Sequence, residues 1–308
     1  MADSTQTPPS VREAPKAAAK QSPKASSSKL DLATLGGIAI ALLGIVGGLL
    51  LEKGSIQDIA QGTAAMIVLG GTFGAVLITN PLAVVIRAFA GAKNILIERV
   101  ISADAIIESL IQYATKARKN GIVSLETEAA SIADPFLRKA LGLAVDGTDL
   151  QEIKKMMEID INLTEQAAEA EAKVWESAGG YAPTIGIIGA VLGLIQVMKH
   201  LEDIKEVGHG IAVAFVATVY GVGSANILFL PAANKLRARL RDITVMRDMT
   251  MEGVIGIVEG LNPTLIRMKL QSFNQHPRKA AKPKPAPKPA PPAAAKPGKT
   301  PQAATAGS

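Results

Sequence analysis

Apolar residues in this chain gather into four long uncharged runs, separated by polar stretches of very unequal length. The first, residues 32–51, reads LATLGGIAIALLGIVGGLLL. At the helical rise of about 1.5 Å per residue it just spans a hydrocarbon core of roughly 30 Å. It is longer than a secretory h-region and no A-x-A cleavage site follows, so an uncleaved transmembrane helix is expected. A second run, Ala64 to Leu82, follows after the short polar stretch 52–63. The third and fourth, Tyr181 to Met198 and Ile211 to Leu230, carry no ionisable side chain except Tyr181 and Tyr220, and only 199–210 joins them. The pattern predicts two transmembrane hairpins in a 2 + 2 arrangement, with a long polar region between them.

That polar region reads as helix. Ile106, Ile107, Leu110, Ile111 and Ala114 form one apolar stripe at helical spacing, and Asn120-Gly121 supplies the stop. Thr148 and Gln151 fit a capping box for a helix running to Ser177 and ending at Gly179-Gly180. No run alternates as a strand does, so the expected fold is all-α: an integral membrane protein with four transmembrane helices and a cytoplasmic helical domain. The expected segments are a disordered basic arm (1–29), hairpin 1 (30–82), a helical domain (83–178), hairpin 2 (179–231), an amphipathic helix (232–274) and a disordered Pro/Ala/Lys tail (275–308).

Composition agrees with membrane helices. The 308 residues are 48% hydrophobic but only 3% aromatic, so the apolar mass is Ala, Ile, Leu, Val and Gly, the palette of closely packed spans. The formal charge of +6 misleads. Residues 1–29 carry a net +3 and residues 275–308 a net +7, which leaves the body at −4. Neither end has stacking aromatics, and no nucleic-acid partner is expected; the basic tail is expected to be a solvated chain, with contact to the anionic lipid of a nearby leaflet as the alternative. Lys and Arg are sparse in the two short connections but frequent in the N-terminal arm, after Pro81 (Arg87, Lys93, Arg99) and after Pro231 (Lys235, Arg237, Arg239, Arg241). The positive-inside bias then puts both termini and the polar region on the cytoplasmic side.

Small residues punctuate every span. Gly189 and Gly193 form a GxxxG pair, and Ala214, Thr218, Gly221 and Ala225 share one helix face, so close packing of helices is expected at Gly189, Gly193 and Gly221. No span contains Asp, Glu, Lys, Arg or His. A path for ions normally requires an intramembrane charge. If this chain conducts ions, the titrating carboxylate must come from another polypeptide, with Thr218, Tyr220, Ser224, Asn226 and the helix-bending Pro183 as candidate lining. Enzymatic chemistry finds no foothold: there is no cysteine, P-loop, GxSxG or HExxH, the three histidines lack metal-ligand spacing, and no cofactor is expected.

Four ordered motifs carry a resemblance: IVLGGTFGAVLITNP (67–81), YAPTIGIIGAVLGLIQVM (181–198), GIAVAFVATVYGVGSANILFLP (210–231) and MEGVIGIVEGLNPTLIRMKLQSF (251–273). Together they resemble the MotA family of flagellar stator proteins, within the MotA/TolQ/ExbB ion-channel group, over about residues 30–274. The resemblance implies a pentamer in the bacterial inner membrane around a dimer of a one-span MotB-like partner whose aspartate carries the ion. It also implies that ion flow becomes torque on a rotor switch ring.

Residue by residue, the resemblance implies that Pro183 and Pro231 are the torque-linked prolines, and that Thr218 is the fourth-span hydroxyl. Ala190 and Ala217 stand where sodium-driven members place hydroxyls, which favours protons, because dehydrating sodium demands more oxygen ligands. Arg118 and Glu126, in ATKARKNGIVSLE, match the rotor-contacting positions. The long N-terminal arm and the Pro/Ala/Lys tail depart from the family pattern. Three readings compete with a proton-driven stator: a sodium-driven stator, a TolQ/ExbB-like energiser and a passive membrane scaffold.

Overall fold

The computed structural model describes residues 28–99 and 102–275, so the expectations for the arm before Ser28 and for the tail after Gln275 lie outside the described residues. The chain is helical almost throughout. α1 is Leu32–Leu51, α2 Gly62–Thr79 and α3 Leu82–Ala90; α4 is Ala103–Asn120, α5 Glu126–Ser131 and α6 Pro135–Val145. α7 runs unbroken over Leu150–Lys199, α8 over Ile204–Val258 and α9 over Pro263–Gln275. Four of these, α1, α2, α7 and α8, are long and apolar enough to cross a membrane.

The expectation of no strand has one exception. Ser28–Leu30 (β1) pairs antiparallel with Ile97–Arg99 (β2), with Leu30 opposite Ile97. Each strand is three residues, too short for alternation to register along the sequence. The ribbon ends the expected 1–29 arm two residues early and ties the entry of α1 to the segment after α3.

α7 is the mast of the molecule. Its 50 residues reach roughly 75 Å, from the polar end farthest from the apolar runs to the far end of the apolar half. The expected stop at Gly179-Gly180 does not occur. A Cβ at Gly179 would meet the side chain of Leu230 at 2.6 Å, so this glycine serves helix contact and leaves the helical ladder intact. The N-cap is Asp149, whose carboxylate accepts from the Gln151 amide at 3.2 Å, one residue later than the Thr148 capping box. α4 does end at Asn120, and Gly121 follows at φ +81.

α8 also outruns its expected end. It passes through Pro231 after a π-helical turn, Ala225–Phe229, and continues to Val258. The expected single helix over 232–274 is therefore two: the lower part of α8, then a reversal at Gly260 (φ +69) into α9. α4, α6, the start of α7, the end of α8 and α9 enclose one apolar core, with Leu110, Leu141, Ile153, Met157, Met249, Ile266 and Leu270 at its centre. Above it, Phe73, Phe89, Trp175 and Phe229 form an aromatic cluster, with the Phe89 and Trp175 rings 5.0 Å apart and the others meeting edge to face or tilted.

Candidate functional site

In the apolar half, α7 and α8 meet through bare backbone. A Cβ at Gly221 would stand 2.5 Å from the Ala182 carbonyl oxygen and 3.0 Å from the Gly186 Cα. At Gly186 it would meet the Ala217 carbonyl at 2.9 Å, and at Gly193 the Ala214 nitrogen and Gly210 oxygen, both at 2.8 Å. Gly189 abuts the Ala217 methyl. Glycine and alanine recur every three or four residues on both helices because only they allow this approach. Gly189, Gly193 and Gly221 thus sit at a contact within one subunit. The stripe of Ala214, Gly221 and Ala225, all buried, turns toward the subunit's own interior.

The predicted lining residues divide. Ala217 is fully buried in the seam, and Tyr220 is half-buried with its hydroxyl donating to the Ile59 carbonyl in the connection before α2. Thr218, Ala190 and Pro183 are half-buried, and Pro231 is exposed. Polar side chains of the two spans satisfy themselves on nearby backbone: Thr218 donates to Ala214 (3.2 Å), Ser224 to Gly221 (3.3 Å), Asn226 to Val222 (2.9 Å) and Thr184 to Tyr181 (2.8 Å). Pro183 has no N–H for the α7 ladder, which leaves a carbonyl one turn earlier without its usual donor. The spans therefore offer hydroxyls and backbone oxygens but no group that titrates near neutral pH. They can shape a path around a carboxylate, and they contain none.

One buried hydroxyl escaped the sequence reading. Thr72 of α2, fully buried between Val68 and Val76 on the same helix face, has no hydrogen-bond partner among the described residues, and neither does the buried Trp175 indole nitrogen.

A collar of charge lies just below the apolar half. Asp31, 4% exposed, caps α1 through the Thr34 amide at 3.1 Å and pairs with Lys235 and with Arg239 at 3.2 Å. Hydrogen bonding from Lys235 is the main cause that holds its carboxyl well below the ordinary range. Arg239 also donates to the Ile95 and Ile97 carbonyls, so one cation grips the cap of α1 and the approach to β2 together. Arg237 bridges Glu169 (2.8 Å) and Glu176 (2.6 Å) on α7; the Glu176 bond depresses that carboxyl and raises the guanidinium. Sequence reasoning passed over Asp31. The signal was present: an Asp directly before an apolar run, with Thr34 three residues on, is an N-cap pattern.

Arg118 and Glu126 lie at the opposite end. Both are exposed, on the last turn of α4 and the first of α5, with no ion pair among the described residues, whereas neighbouring Lys116 is tied to Glu128. Arg118 also edges a cleft of about 360 Å³ between the ends of α4, α6 and α8.

A tightly sewn helical hairpin whose apolar runs carry no Asp, Glu, Lys, Arg or His, a second pair of apolar helices and a long polar helical stalk are the parts of a membrane-channel subunit. The chain belongs to the MotA/TolQ/ExbB proton channel family, which matches residues 128–249, while the Motility protein A N-terminal family matches residues 35–121. Motility protein A of Helicobacter pylori is 34% identical over 79% of this chain and 95% of its own length. That of Bacillus subtilis is 32% identical over 79% of this chain and 91% of its own length. Among solved structures, Campylobacter jejuni MotAB aligns with a TM-score of 0.74 at 31% identity, covering 79% of this chain and 96% of that one. The Bacillus subtilis flagellar MotAB stator complex aligns at 0.72 and 32% identity, covering 78% and 95%. The N-terminal match runs from within α1 to the end of α4 and so takes in the first two apolar helices.

Proposed function

We propose that this chain is the stator subunit of a bacterial flagellar motor: five copies in the inner membrane enclose a dimer of a one-span MotB-type partner, and proton flow past the partner's aspartate turns the ring of subunits. The observation that carries the reading is the complete absence of Asp, Glu, Lys, Arg and His from all four apolar runs, in a chain of a proton channel family. A carboxylate supplied by the partner would face Thr218, Ala190 and the backbone near Pro183. Protonation would neutralise it and let it leave the polar path; deprotonation on the cytoplasmic side would draw it back. Pro183 and Pro231, both at the stalk end of the hairpin, are the points through which such steps reach the stalk.

Both termini and the stalk face the cytoplasm, in keeping with the Lys and Arg that flank the apolar runs there. Arg118 and Glu126, at the far tip of the stalk, meet opposite charges on the rotor switch ring, and the tail's lysines meet anionic lipid. Ala190, beside Thr218, leaves few oxygens to replace a sodium ion's hydration, so the coupling ion is the proton.

The test is swimming speed in cells that depend on this chain. Speed stays constant as external sodium varies and falls when an uncoupler collapses the proton gradient; speed that follows sodium at constant proton-motive force overturns the assignment of the ion. Charge reversal at Arg118 or Glu126 slows swimming at unchanged protein level, and a matching reversal on the rotor partly restores it. A topology assay finding three spans would return the chain to the energiser class.

A further inference from the structure

All three glycines with positive φ among the described residues, Gly121 (+81), Gly147 (+76) and Gly260 (+69), gather around the cleft at the tip of the stalk. Gly147 and Gly260 line it, and Gly121 adjoins the lining residue Ile122. A Cβ on any of the three would meet nothing within 4 Å, so these glycines answer to the turn conformation and not to close packing. Each turn ends a helix, and the C-termini of α4, α6 and α8 thus converge on one apolar hollow floored by Ala114, Ala117, Ile122, Ala144, Ile257 and Leu261.

The rim of this hollow is two-signed. α4 carries Arg118 and Lys119 in its last turn, which offset its negative dipole end. α6 and α8 have no basic residue there, and each is followed by an exposed acid next to a lining glycine: Asp146 before Gly147, and Glu259 before Gly260. One side of the hollow is therefore cationic, and the other combines two carboxylates with two uncompensated helix C-termini. None of Arg118, Lys119, Asp146 and Glu259 has an ion-pair partner among the described residues.

From this we infer that the tip cleft is a socket for one aliphatic side chain on a partner helix that carries an acid on one flank and a base on the other, docked with its acid toward Arg118 and its base toward Asp146 and Glu259. The inference rests on the rotor reading above, and the partner is the rotor switch ring. Charge alone would leave the two surfaces free to slide. An apolar anchor in a desolvated hollow adds a seat, with the two-signed rim fixing the direction of the helix across it. A stepping contact needs both features: a defined seat, and a long-range attraction to bring the next helix in.

The chain has no cysteine, so single-cysteine variants report cleanly. Thr148→Cys places a thiol in the lining of the hollow, and Thr127→Cys places one on the exposed surface beside Glu126. Full stator complexes with either variant, in lipid nanodiscs, are labelled with a maleimide with and without excess purified rotor ring protein. The expected result is severalfold slower labelling at both positions when the ring protein is present, with Thr148→Cys losing its protection when Asp146 and Glu259 are both changed to Lys. Protection at Thr127→Cys alone means a surface contact without a socket, which overturns the inference and leaves the rotor reading standing. Protection at neither position overturns both.

Discussion

The two apolar hairpins are built by different means. α7 and α8 touch backbone to backbone at Gly186, Gly193 and Gly221, and Gly189 and Gly210 close the seam against the Ala217 methyl and the Val197 side chain. α1, by contrast, buries none of its twenty residues, and Gly36, Gly37, Gly44, Gly47 and Gly48 have nothing within 4 Å of where a Cβ would stand. It is held at its ends, by Asp31 and the β1–β2 ribbon below and by short connections above. The second hairpin is a rigid part complete within one subunit; α1 presents its apolar surface to whatever surrounds the subunit. Identical glycine-rich composition therefore serves opposite ends, and the difference is readable only from what lies opposite each residue.

Substitutions at four positions grade this contrast. Gly221→Leu has the largest expected effect, because its side chain would enter the backbone of Ala182 and Gly186, which cannot move aside. No stable complex should be recovered from membranes, and swimming should be abolished; normal complex yield would break the claim of a rigid seam. Asp31→Asn comes next. Removing one partner from a buried cluster leaves Lys235 and Arg239 uncompensated, at a cost of about 3 kcal/mol, the low end for such a loss because both cations still touch water.

The pH dependence of that lock has a defined sign. Asp31's carboxyl is depressed in the folded state, so its contribution is complete above the ordinary carboxylate range, near roughly pH 4, and is lost as pH falls below it. Thermal melting of the purified complex at neutral and acidic pH, with Asp31→Asn as the variant that lacks this component, measures it.

Gly71→Ala is milder. Its new methyl would meet the Ile185 Cγ2 at 2.7 Å; this side chain is stiff at χ1 in a helix but is not backbone, so the helices shift slightly and a loss of about 1–2 kcal/mol is expected in the same melting experiment. Gly44→Leu should be nearly silent, since the site is open. A loss of assembly at Gly44 as severe as at Gly221 would show that α1 is as tightly packed as α7 and α8, through a neighbour.

The four long apolar helices and the helical stalk were legible in the sequence because uncharged runs and 3.6-residue stripes depend on local composition alone. Asn120-Gly121 was legible as a stop for the same reason. Gly179-Gly180 was not, because a glycine that ends a helix and one that admits Leu230 look alike until the neighbour is known. The stripe of Ala214, Gly221 and Ala225 announced a packed face without saying against what, and it faces the subunit's own α7 and α2. The resemblance puts Ala217 on the ion path, and its place in the fourth run makes Tyr220 a candidate lining residue. The structure puts the first in the seam and ties the second to Ile59, contacts between residues distant in sequence that periodicity cannot encode. Asp31 shows the same limit: its cap was local, but the cations that bury it lie some two hundred residues on, at Lys235 and Arg239.

The central claim is that this chain shapes a proton path and the partner supplies the group that titrates. Proton flux into vesicles, followed with a pH-sensitive dye, tests it most directly when three preparations are compared: the chain alone, the chain with its MotB-type partner, and the chain with a partner whose membrane Asp is changed to Asn. Flux is expected only in the second. Flux through the chain alone, or equal flux with the Asp-to-Asn partner, would contradict the account.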